Sequence, residues 1–105
     1  MPKKIFVVDC APETARYRVE FVTEKGKVQE FVVQLEYKVE SEWRPVVRYD
    51  TAHGVPHCDS YAPDGTLTPH QALGIADYNE ALTYAETQVR NQWQELIRPF
   101  QEALP

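Results

Sequence analysis

The chain has 105 residues, with 16 acidic against 11 basic side chains and a formal net charge of −5. That length suits a single domain, 1–105, that buries one core without metal or disulfide staples. The acidic balance makes nucleic acid an unfavoured partner unless folding gathers Arg16, Arg18, Arg44 and Arg48 into a basic patch.

The longest apolar run, Ile5 to Val8, is only four residues. It is too short to span a membrane or to form the core of a signal peptide, so a cytoplasmic protein with no membrane partner is expected. The run either adds a strand or covers a sheet face. Cys10 and Cys58 are expected as free thiols acting as small packing residues in a reducing compartment.

From Arg16 to Tyr49 the hydrophobic period is two. Tyr17, Val19 and Phe21 alternate with charged residues. Phe31, Val33, Leu35, Tyr37 and Val39 do the same, and Trp43, Val47 and Tyr49 continue through Pro45. The odd-numbered residues are therefore the core face. Glu24-Lys25-Gly26 as a three-residue loop pairs Val22 with Val28 and Val19 with Phe31. Glu40-Ser41-Glu42 as a second such loop pairs Val39 with Trp43 and Leu35 with Val47. Both registers put odd opposite odd, as a shared core face requires. On this reading Val22, Val28, Val32 and Val46 lie on the face opposite the core, where an uncovered set would mediate association.

His53-Gly54 reads as a two-residue turn that pairs Asp50 with His57, Tyr49 with Cys58, and Arg48 with Asp59. A histidine tolerates positive φ better than most residues, and glycine suits the second position. Pro56 cannot donate to a ladder, which places the fourth strand at an edge or makes it irregular. Beyond Pro63-Asp64-Gly65 the period changes to 3.6. Thr68-Pro69 is expected to begin a short helical turn, with His70 exposed near its start. Asp77 and Glu80 form a capping box, and Tyr78, Ala81, Leu82, Ala85, Val89, Trp93, Leu96, Ile97 and Phe100 make one stripe. Pro99 should stop or kink the helix near Arg98. The predicted fold is α+β, an antiparallel meander of four or five strands (about 5–62). A helical part (about 69–101) follows, with one long C-terminal helix packed on one face.

The chemistry concentrates between Arg48 and Asp59. His53, His57 and Asp59 are donors that zinc accepts, although their spacing matches no known ligand motif. Asp50 beside His57 has the form of a tuned general base, with Arg48 placed to stabilise an anion. Opposite charges across a strand pair also simply fix register on an exposed face. On a strand, His57 and Cys58 point to opposite faces, so they make no nucleophile–base dyad. The aromatic residues sit at core periodicity rather than as a base-stacking platform. There is no phosphate loop, Cys-x-x-Cys, His-Glu-x-x-His or acidic calcium loop, and no cofactor is expected.

The segment Val46-Val47-Arg48-Tyr49-Asp50-Thr51-Ala52-His53-Gly54, followed by His57 and Asp59, resembles a family of small uncharacterised bacterial proteins. The likeness runs from about Phe31 to Trp93 and includes Phe31 to Glu36 and Pro63-Asp64-Gly65. It implies a module without an assigned activity. More distantly, an Arg-Tyr-Asp strand followed by histidines resembles TumE-type toxin proteins of bacterial toxin–antitoxin pairs. Those carry a longer loop and further histidines after the proline, where this chain has Cys58 and Asp59. The expected function is a protein-interaction or regulatory module without catalytic activity, working through its open sheet face or as a homodimer. The alternative is a toxin-like RNA-acting enzyme that uses His57, Asp50 and Arg48, with His53 at the rim.

Overall fold

A computed structural model describes residues 2–68 and 71–105 of the chain. Its strands are β1 (Lys3–Ala11), β2 (Ala15–Glu24), β3 (Lys27–Val39), β4 (Glu42–Asp50), β5 (His57–Ser60) and β6 (Gln71–Ala72), followed by one helix, α1 (Tyr78–Glu102). All six strands form one antiparallel sheet in sequence order. The N-terminal run thus adds a strand, and the sheet exceeds the four or five strands that the alternation predicts.

The helix lies on the face of the sheet that carries Tyr17, Val19, Phe31, Val33, Leu35, Val47 and Tyr49, all buried. It packs chiefly on β3 and, less closely, on β4. Ala81, Ala85 and Val89 meet the sheet with small side chains, while Ile97 and Phe100 fill the space beyond them. Asp77 caps the helix, its carboxylate accepting from the Glu80 backbone N–H at 3.0 Å. The helix does not stop at Arg98 but runs through Pro99 to Glu102. Pro99 lies in the last turn and costs the helix one backbone hydrogen bond, the one to the Glu95 carbonyl.

The two long hairpins correct the expected loops. Lys25 and Gly26 have φ of 52° and 78°, and Glu40 and Ser41 have 50° and 70°. Each pair makes a two-residue turn of the type that matches strand twist. Glu24 therefore faces Lys27, and Thr23 faces Val28. Val39 faces Glu42 rather than Trp43, and Lys38 faces Trp43. A two-residue turn puts odd opposite even, so each hairpin needs a bulge to restore its core face. In β3 the extra residue is Gln29, after which Phe21 faces Phe31 and Val19 faces Val33. In β4 it is Val46, after which Leu35 faces Val47 as expected.

Three consequences follow for the open face. Val46 is buried in the core at 2 % exposure, and Val28 packs against the core's edge. Neither joins an open valine patch. Trp43, expected in the core, stands on the open face beneath the Arg16 guanidinium, 4.1 Å from the ring centroid.

Beyond β5, residues 71–72 form β6 instead of a helical turn. Gln71 faces Cys58, and the Leu73 N–H donates to the Pro56 carbonyl at 3.0 Å. Pro56 lacks a donor but still accepts, so the strand it precedes is not an edge. Pro69 and His70 lie outside the described residues.

Candidate functional site: a histidine between two aspartates

Among the described residues, no second layer covers the face of the sheet away from the helix, yet four of its polar residues are buried: Gln34, Glu36, Asp50 and His57. Burying such groups is unfavourable unless they are hydrogen-bonded. They bury one another in a chain of contacts that crosses β2, β3, β4 and β5. Arg16 Nε donates to Glu36 Oε1 at 2.7 Å, and Gln34 Nε2 donates to Glu36 Oε2 at 2.7 Å. Arg48 Nη1 donates to Gln34 Oε1 at 3.1 Å, while Arg48 Nε donates to Asp50 Oδ2 at 2.6 Å.

The chain of contacts ends at His57. The turn that delivers it is a short 3-10 segment, Ala52–Gly54, in which His53 and Gly54 have φ of 67° and 83°. The expected register holds: Asp50 faces His57, Tyr49 faces Cys58, and Arg48 faces Asp59. Asp50 Oδ1 also accepts from the Ala52 backbone N–H at 3.1 Å, which ties the carboxylate to the turn. Thr51 Oγ1 accepts from the Phe31 N–H at 3.1 Å and ties the turn to β3 just past its bulge.

His57 Nδ1 lies 2.9 Å from the Val55 carbonyl oxygen. A carbonyl only accepts, so Nδ1 carries a proton and donates. Nε2 lies 2.9 Å from Asp50 Oδ1 and 3.6 Å from Asp59 Oδ2. Carboxylates also only accept, so Nε2 shares either a second proton or a cation with them. Two guanidiniums, Arg16 and Arg48, meet three carboxylates, Glu36, Asp50 and Asp59, along this series of contacts.

Arg48, Asp50, His57 and Asp59 are thus brought together. His53 is not: it is exposed on the turn, outside the group Asp50, His57 and Asp59 whose donor atoms all lie within 4.8 Å of one another. A general base must present an open nitrogen to its substrate. The His57 side chain is 8 % exposed, with both nitrogens turned to protein oxygens. Cys58 projects to the helix side, where burial pushes its thiol up to about 11 and also raises the Tyr49 hydroxyl. A protonated thiol is a poor nucleophile and a poor ligand.

Arg16, Arg18 and Arg48 share the open face, but each has an acidic neighbour: Glu36, Glu20 and Asp50. Arg44 lies 3.5 Å from Glu42 and also donates to the Pro63 carbonyl at 2.9 Å. The basic patch that nucleic acid would need is therefore neutralised. A cleft of about 360 Å³ opens beside the network, walled by Lys3, Glu20, Glu30, Arg48, Asp50 and Thr51. Sequence reasoning missed Gln34, Glu36 and Trp43 as neighbours of the site. Even-numbered polar residues on β3 opposite Arg16 and Arg48 were the signal for the first two.

A family model for a domain of unknown function, DUF7718, matches residues 1–104. The chain belongs to the DUF7718 family. No curated protein and no solved structure matches it. The family covers the sheet, the histidine–aspartate cluster and the helix of this DUF7718 domain alike. No helix among its described residues is long and apolar enough to cross a membrane.

Proposed function

We propose that this DUF7718 domain is a protein-interaction module that uses the outer edge of β1, and that a second copy of the chain occupies that edge. One observation carries the reading: β1 is complementary to itself when run antiparallel. It ends the sheet, and its middle exposes Ile5 by 60 %, Phe6 by 40 % and Val7 by 50 %. A long apolar edge invites another strand unless it is covered.

With a twofold axis through Phe6, Lys3 faces Asp9 of the other copy, and Ile5 faces its Val7. Both relations recur by symmetry, which is the isologous geometry of a twofold dimer. Opposite charges then flank an apolar centre on the open face. Phe6 meets its counterpart on the other face, beyond the elements that α1 covers. The union extends the sheet across two copies and keeps both helices on one side.

An edge-to-edge contact of this size belongs to the small, reversible class of interfaces. Sedimentation across a concentration series should show monomer and dimer exchanging with a Kd on the order of micromolar. Val7→Glu should remain monomeric throughout, with its thermal unfolding little changed because the side chain is half exposed. A wild-type protein that stays monomeric at millimolar concentration rules the reading out, as does a Val7→Glu dimer of wild-type affinity.

A further inference from the structure

We infer that Asp50, His57 and Asp59 form a binding site for a divalent transition-metal ion of the zinc class. The geometry is that of a ligand set held from behind. The Val55 carbonyl takes the Nδ1 proton of His57 and so fixes the ring tautomer and orientation. Metal-bound histidines are oriented in this way by their other nitrogen. Nε2 is left aimed between two carboxylates. Arg48 holds Asp50 through Oδ2, which directs Oδ1 toward Nε2.

Donor atoms bonded to a tetrahedral zinc ion at about 2.0 Å sit roughly 3.3 Å apart. The present separations, 2.9 Å from Nε2 to Asp50 Oδ1 and 3.6 Å to Asp59 Oδ2, bracket that value. One imidazole and two carboxylates suit zinc, cobalt or manganese better than a thiolate-seeking ion. Among the described residues three donors, one from each of Asp50, His57 and Asp59, converge in this way. Asp50 also lines the wall of the cleft.

The test uses tag-free, metal-free full-length protein titrated with Co²⁺, read by its visible absorption, and then with Zn²⁺ in competition. Zinc at a hundredfold excess over Kd should raise the Tm by about 10 °C. In Asp59→Asn, affinity should fall at least about tenfold, as for loss of a ligand. Nitrogen-detected NMR of the wild-type ring should show Nε2 shifting with zinc while Nδ1 keeps its proton. That readout decides the matter even where Asp59→Asn fails to fold. Absence of saturable binding up to millimolar zinc would overturn the inference. So would undiminished binding by folded Asp59→Asn, or an Nε2 that keeps its proton in the presence of zinc.

Discussion

Asp50 accepts hydrogen bonds from Arg48 and from the Ala52 backbone, and it faces His57 at 2.9 Å. Its removal takes the nearer carboxylate from the buried His57 ring and the Nε partner from Arg48, whose side chain is 33 % exposed. Breaking a buried pair such as Asp50–His57 is expected to cost about 3–5 kcal/mol. Asp50→Ala should therefore lower the urea midpoint far more than Asp59→Ala, whose carboxylate lies farther from the ring and nearer solvent. Equal losses would contradict the description of Asp50 as the hub. Cys58 gives a pH prediction. Burial raises its folded-state pKa from 9.0 to about 11, so between these values the folded protein retains a proton that the unfolded chain loses. Stability should decline as pH rises through that window, by about 2–3 kcal/mol in total. Cys58→Ala should remove that part of the decline, and an unchanged slope would refute the assignment. The pairs Asp50/His57 and Arg48/Asp59 were legible in the sequence, because a one-residue slip sets like against unlike. The role of Glu36 and Gln34 was not, since nothing local shows that residues on an uncovered face will bury each other.

At the scale of elements, the helix was the most legible part, for its stripe and cap are written in consecutive residues. The hairpins were less so. A three-residue loop and a two-residue turn followed by a bulge both bring odd residues opposite odd ones, and alternation cannot tell them apart. The difference falls on Val46, which the simpler register leaves on the open face and the bulge turns into the core. Val46→Ala should cost about 1–3 kcal/mol, the range for truncating a buried aliphatic side chain. Val32→Ala, on the open face, should cost less than about 1 kcal/mol. Equal costs, measured by denaturant unfolding with unchanged m-values, would favour the unbulged register. Trp43 follows the same logic: it keeps its odd number but changes face, where Arg16 stacks on it. Its fluorescence should respond to Arg16→Ala, whereas a core tryptophan would not.

At the scale of the whole molecule, the sheet solves its two faces differently. One is covered by α1, and the other is sealed by its own network of buried polar groups. Among the described residues, neither device covers the outer edge of β1. The most direct test is a charge exchange read by sedimentation at a concentration where the wild type dimerises. Lys3→Asp alone and Asp9→Lys alone each replace two attractive cross-strand pairs with two repulsive ones, which should raise Kd by about tenfold or more. An equimolar mixture of the two variants restores both attractions and should form mixed dimers at wild-type concentrations. Variants that dimerise alone like the wild type, or a mixture that stays monomeric, would contradict the antiparallel β1 pairing.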